Sequence, residues 1–112
     1  MPTPEQLTHA VDAFRMLADP TRVKVAWALI CGERSVKELA DIVEATPTAV
    51  SQHLAKLRLA GLVTVRREGT FAFYSMADAH VGQLLEEALF HADHAVDHRP
   101  DHAGTRPPRP SR

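Results

Sequence analysis

The 112 residues include one cysteine, Cys31, which excludes an internal disulfide framework and any thiolate cluster built within one chain. No stretch approaches the ~18–20 consecutive apolar residues that a membrane helix needs, so no membrane partner is expected. Neither a phosphate-cradling glycine loop nor a Ser-His-Asp order is present, and nothing pairs a general base with an open metal position. An enzyme is therefore not expected. Charge of one sign is lacking too. Thirteen basic residues face fourteen acidic ones, for a net charge of −1, so bulk charge names no partner. The opening Met1-Pro-Thr-Pro-Glu5 lacks the basic-then-apolar pattern of a secretory leader, and with one unpaired thiol a reduced, cytoplasmic setting is the expectation. What remains is one ordinary globular domain, 45% hydrophobic and 24% charged, with one anomaly. Five of the seven histidines lie at or after position 80.

Charge is unevenly divided along the chain. Residues 46–70 hold Lys56, Arg58, Arg66 and Arg67 against Glu68, a net of +3. Residues 78–97 hold Asp78, Glu86, Glu87, Asp93 and Asp97 with no Lys or Arg, a net of −5. From Asp97 the chain reads DHRPDHAGTRPPRPSR, where apolar side chains nearly vanish. We expect residues 1–96 to form the folded domain and 97–112 a disordered His/Pro/Arg-rich tail.

Apolar Leu7, Ala10, Val11, Phe14, Leu17 and Ala18 recur at helical spacing and predict a first helix over residues 5–18. Asp19-Pro20 is a cap-then-proline start for a second helix with a Val23, Ala26, Trp27, Ile30 stripe, ended by Gly32. Ser35-Val-Lys-Glu38 has capping-box form and opens a short third helix on Val36, Leu39, Ala40 and Val43. Thr46-Pro47 repeats the start signal for a fourth helix with Val50, Leu54 and Leu57 inward, and Gly61 suits the position after its end. Leu62–Val65 and Phe71–Tyr74 are strand formers around a charged tip, which predicts a hairpin. A last helix follows Asp78, with Val81, Leu84, Leu85, Ala88 and Ala92 on one face. The expected fold is mainly α with a small β-hairpin, a winged helix-turn-helix of four helices, a wing and a C-terminal dimerisation helix.

On the fourth helix the outward positions are Thr48, Ser51, Gln52, Ala55 and Lys56. Short hydroxyl and amide groups can read base edges in a major groove, while Lys56 and Arg58 can reach phosphates. Arg66 and Arg67 at the hairpin tip are placed to lie along a neighbouring backbone or enter a minor groove. His53 is assigned to DNA docking or packing. A solvated helix and a soluble hairpin are the bland alternative, which the order of elements around them disfavours.

The last helix carries a sharper pattern. At about 100° per residue, His80, His91, His94 and His98 fall within roughly 60° of one another beside the apolar stripe. His91 and His94, three residues apart, can chelate one ion. His80 lies about 16 Å before His91 along the axis, whereas a histidine-bound metal sits only about 2.1 Å from its ligating nitrogen. One helix cannot close such a site. A second copy running antiparallel can, so metal binding by this set implies a two-fold dimer with sites spanning both chains. A solvated polar face is the alternative.

Asp78-x-His80, ten residues, then His91-x-x-His94 resembles the C-terminal-helix metal site of the ArsR/SmtB family of metal-sensing winged-helix regulators. The resemblance extends through Phe14-Arg-Met-Leu-Ala-Asp-Pro-Thr-Arg22, Val50-Ser-Gln-His-Leu54 with Leu57-Arg58, Ala60-Gly-Leu-Val63, and Arg67-Glu-Gly69 to Tyr74. It covers residues 5–96 and is strongest towards the actinobacterial nickel/cobalt-sensing branch, whose C-terminal histidines extend the site. The resemblance implies Asp78, His80, His91 and His94 as metal ligands and Thr48, Ser51 and Gln52 as base readers. It also implies a homodimer paired through the first and last helices on double-stranded operator DNA. The family's thiolate site near the third helix is absent, since that stretch reads Val36-Lys-Glu-Leu-Ala40, and Cys31 is expected to be a small buried core residue. One oxygen and three nitrogen donors suit Ni²⁺, with Co²⁺ and Zn²⁺ as alternatives. His98 and His102, or Asp93 and Asp97, are candidates to complete an octahedron. His9 is read as a surface residue.

The leading expectation is a repressor released from its operator by metal. Two others stand beside it: a winged-helix regulator with little metal response, controlled by a co-regulator protein and acting as an activator, and a histidine-rich nickel store that reuses the fold.

Overall fold

Helix starts in this chain are set by short polar side chains that accept the otherwise unpaired first-turn amides. In a computed structural model that describes residues 1–97, Thr3 caps α1 (Pro4–Met16) through a capping box with Gln6. Asp19 caps α2 (Pro20–Leu29), its carboxylate accepting from Arg22 N at 2.9 Å. Ser35 caps α3 (Val36–Val43) in a capping box with Glu38. Thr46 caps α4 (Pro47–Leu59), accepting from Ala49 N at 3.1 Å. The α3–α4 turn needs one residue in the left-handed region, supplied by Glu44 at φ 57° and ψ 48°. Ala45 N then bonds Ala40 O at 3.0 Å and closes the end of α3.

Two six-residue strands, β2 (Val63–Glu68) and β3 (Phe71–Met76), pair antiparallel from Val63–Met76 to Glu68–Phe71 around Gly69, whose φ is +61°. A two-residue strand β1 (Arg34–Ser35) adds to the other edge of β3, giving the order β1-β3-β2. The sequence predicts the hairpin but not β1, which is too short to show a period. Helix α5 (Ala79–Asp97) completes the chain. Four helices, a wing and a last helix are the expected winged helix-turn-helix.

The core is built from Val25, Leu29, Leu39, Val43, Val50, Leu54, Leu57, Leu62 and Val63. The inward faces of α3 and α4 are those expected from the periodicity, and that of α2 is not. There Val25, Ala26 and Leu29 are buried, while Trp27 is 44% exposed and Val23 and Ile30 only half-buried. The inward stripe is therefore rotated from the predicted one. Cys31 is also a correction. It is exposed just past the end of α2 rather than in the core. Helix α1 is amphipathic yet buries no residue, leaving Leu7, Val11 and Phe14 open, the last at 58%. Among the described residues of α5, Gly82 and Leu85 are buried, and Gly82 faces Ile30.

Candidate nucleic-acid interface and metal-ligand set

Helix α4 is anchored by Val50, Leu54 and Leu57, which are fully buried. Its opposite face leaves Thr48, Ser51, Gln52, Lys56 and Arg58 exposed. Hydroxyl and amide groups at the first two turns and cations in the last turn make a face able to read bases and hold phosphates. His53 lies at the border of this face, half-buried, with Nδ1 enclosed and without a hydrogen-bond partner among the described residues. It is close enough to Asp19 to act on that carboxyl. The Asp19 pKa is lowered chiefly by the Arg22 backbone N–H, with the charges of Arg22 and His53 adding. The Arg22 side chain in turn donates from Nε to Met16 O at 2.6 Å, tying the end of α1 to the start of α2.

Arg66 and Arg67 are expected to act together as wing cations; the structure separates them. Arg66 is held by Glu33, with Nη2 to Oε1 at 2.6 Å and Nε to Oε2 at 3.3 Å, and by Glu68 through Nη1. Its guanidinium carbon also lies 4.9 Å from the centre of the Phe73 ring. The two carboxylates raise the Arg66 pKa still further, and the Arg66 hydrogen bond lowers that of Glu33. Arg67 is exposed and has no ion pair among the described residues. Glu33 is the residue that sequence reasoning missed. It lies 33 positions from its partner, and no local pattern connects the two.

Asp78 caps α5, its Oδ1 accepting from His80 N at 2.9 Å and Val81 N at 3.4 Å. His80, His91 and His94 are all exposed on this helix, and the His94 ring lies 4.6 Å from that of Phe90. Asp93 is half-buried. Among the described residues no group of three or more His, Cys, Asp or Glu side chains comes together within one chain. One carboxylate and three imidazoles fit a borderline divalent ion in type, and each chain offers them as two separate halves. Asp97 ends α5, and His98 and His102 lie outside the described residues. No helix among the described residues is long and apolar enough to cross a membrane.

Comparison with known proteins agrees with this fold. The family pattern described as "Bacterial regulatory protein, arsR family" matches residues 19–65, from the cap of α2 into β2. The chain is 51% identical to the HTH-type transcriptional regulator KmtR of Mycobacterium tuberculosis over 88% of its length and 75% of that protein's. It is 42% identical to a cadmium resistance transcriptional regulatory protein CadC homolog of Staphylococcus aureus, over 70% of this chain and 65% of the other. Among solved structures, the homodimeric winged helix-turn-helix DNA-binding domain of Mb0332 from Mycobacterium bovis superposes with a TM-score of 0.77 at 30% identity. That match covers 86% of this chain and 89% of the other. The fold, the helix-turn-helix and the relatives agree: the chain is a transcriptional regulator, not an enzyme, and belongs to the ArsR/SmtB family.

Proposed function

We propose that this regulator acts as a homodimer that represses from operator DNA and releases it when nickel, or alternatively cobalt or zinc, binds. The observation that carries the reading is α5, where Asp78 and His80 sit at one end and His91 and His94 at the other, all exposed beside an incompletely covered apolar face. An antiparallel pairing of two α5 helices would bring the Asp78 and His80 end of one copy to the His91 and His94 end of the other. The open side chains of α1 and α5, among them Leu7, Val11, Phe14, Leu84 and Leu89, are the surface such a pairing would bury. The homodimeric state of the Mb0332 domain and the cadmium-resistance role named for the CadC relative support pairing and metal response as themes of the family. The donor set here contains no thiolate, which turns the choice from cadmium towards nickel, cobalt and zinc.

In this reading the chain's own groups have distinct tasks. Thr48, Ser51, Gln52 and His53 meet base edges or dock the helix, while Lys56, Arg58 and Arg67 meet phosphates. Asp78, His80, His91 and His94 hold the metal, with His98 and His102 as candidates to complete its shell. When bound, the metal supplies a cross-link between the two copies. That cross-link would bias the angle between two α4 helices, an effect on operator affinity of about 5–150-fold.

The test is operator binding by the purified protein, with the operator obtained by selection from random duplexes, with and without each of the three metals. His91→Ala with His94→Ala should abolish the metal effect and leave metal-free DNA binding intact, while Ser51→Ala or Gln52→Ala should relax specificity by about 1–3 kcal/mol per lost contact. A mixed dimer of one His80→Ala chain and one His91→Ala, His94→Ala chain should keep one intact site; finding none would refute ligands shared across chains. A second reading, control by a co-regulator protein, has in its favour an open apolar cleft lined by Val23, Trp27, Ile42 and Leu89. Operator affinity unchanged by every metal would favour it.

A further inference from the structure

The wing holds an arginine that is already occupied. Arg66 uses Nε and Nη2 on Glu33 and Nη1 on Glu68, and its flat face lies over Phe73. A two-point fork on a carboxylate is the same geometry by which arginine grips a phosphate. Glu33 therefore fills the site on Arg66 that a DNA backbone would need. Glu33 comes from the turn after α2, its side chain is 39% exposed, and both of its carboxylate oxygens accept from Arg66. Glu33 and Glu68 both occupy Arg66, so a phosphate approaching that guanidinium must displace a carboxylate before it gains a donor. Arg67, the next residue along β2, has no such restraint among the described residues.

We propose that Glu33 is an affinity-setting residue, an internal competitor that keeps Arg66 off the phosphate backbone and so limits how tightly the wing holds DNA. The proposal rests on the reading that the wing meets DNA. Its consequence is opposite in sign to that of removing a basic contact: deleting an acidic side chain on the turn after α2 strengthens binding. Each phosphate neutralised adds about 0.9 to the magnitude of the log K against log salt slope, which at ~0.15 M salt corresponds to roughly fivefold in affinity.

The experiment measures binding of the full chain to a fluorescein-labelled, mixed-sequence DNA duplex across a salt series. Sequence-independent binding reports this electrostatic contribution directly. Glu33→Gln should steepen the slope by about 0.9 and tighten binding roughly fivefold at ~0.15 M salt. In an Arg66→Ala background the same change should do neither, because the liberated cation is missing. Circular dichroism on each variant confirms that the fold is kept. An unchanged slope in Glu33→Gln, while Arg67→Ala flattens it, overturns the competitor and leaves the wing on DNA. An equal steepening with and without Arg66 also overturns it, since the effect is then one of net charge. A slope that Arg67→Ala leaves unchanged removes the wing from the interface, and the proposal with it.

Discussion

Asp78 has two tasks, which a pair of substitutions separates. Its Oδ1 caps α5 by accepting from His80 N and Val81 N, and the same carboxylate is a proposed metal ligand. Alanine removes both functions. Asparagine ranks with aspartate as an N-cap, so it keeps the cap and loses only the anionic donor. Losing the cap costs about 0.5–2 kcal/mol, and losing the negative charge at the helix start costs a further ~0.3–1 kcal/mol. Asp78→Asn carries only the second cost. The two variants should differ by about 1 kcal/mol, which in a domain of this size separates their melting temperatures by roughly 4–8 °C. The assay is thermal unfolding in chelator at one fixed protein concentration, since pairing makes the midpoint concentration-dependent. A nickel titration of the same samples follows. Alanine should melt lower than asparagine, while both should lose nickel affinity alike. Equal melting temperatures would refute the cap, and wild-type nickel binding by Asp78→Asn would refute the ligand.

Leu54 is fully buried beneath the exposed face of α4, so Leu54→Ala should destabilise the fold by about 2–5 kcal/mol in urea unfolding; a loss below 1 kcal/mol would contradict its place in the core. Phe14 leaves 58% of its surface open, or about 120 Å² of a ~200 Å² side chain, an upper bound of ~3 kcal/mol per copy if pairing buries it. If half of that bound is realised in each copy, Phe14→Ala should raise the dimer dissociation constant about a hundredfold in analytical ultracentrifugation, because a two-fold interface counts the change twice; an unchanged constant would place the interface elsewhere. Asp19, Glu33 and Glu38 all have pKa values lowered in the fold, the first by the Arg22 amide, the second by Arg66 and the third by the Ser35 amide. Lowered carboxylates stabilise above their unfolded values of 3.8 to 4.5 and lose that contribution as pH falls through the folded ones. Melting temperature should therefore hold from neutral pH to about 4.5 and drop below it, and Asp19→Asn should shrink the drop.

What could be read from the chain depended on how far apart the interacting groups lie. The starts of α2, α3 and α4 were legible because a cap and the amide it accepts are three residues apart, as in Asp19 with Arg22, Ser35 with Glu38 and Thr46 with Ala49. The inward stripe of α4 was legible for a related reason, since one face packs on the core and the other is polar. Helix α2 misled because its apolar residues lie nearly all round. Trp27 and Val23 favoured the wrong face, while Val25 and Leu29 meet the core. Strand β1 exists only through its pairing of Arg34 with Tyr74 and Ser35 with Phe73, and the Glu33–Arg66 pair only through the same folding of the wing onto α2. Cys31 is of a residue type that is usually buried, yet its position just past a helix end leaves it in solvent.

Two features of the single chain are incomplete, and they are incomplete in the same place. Helix α1 is amphipathic but has no fully buried residue, and only Ala13 and Met16 pack against the core, an unusual state for a thirteen-residue helix whose stability in water depends on covering its apolar face. His80 is separated from His91 by about 16 Å along the axis of α5, and the described residues form no three-ligand cluster within the chain. A partner laid antiparallel along α5 would cover the first and close the second. The two processes are then linked: metal binding strengthens pairing by the same free energy with which pairing strengthens metal binding. Nickel affinity should accordingly track protein concentration through the monomer–dimer range. The wing lies outside that linkage, since Arg66 and its two carboxylates sit on β2 and on the turn after α2. Metal would act on how the two reading helices are presented, and Glu33 on how strongly each wing holds what it meets.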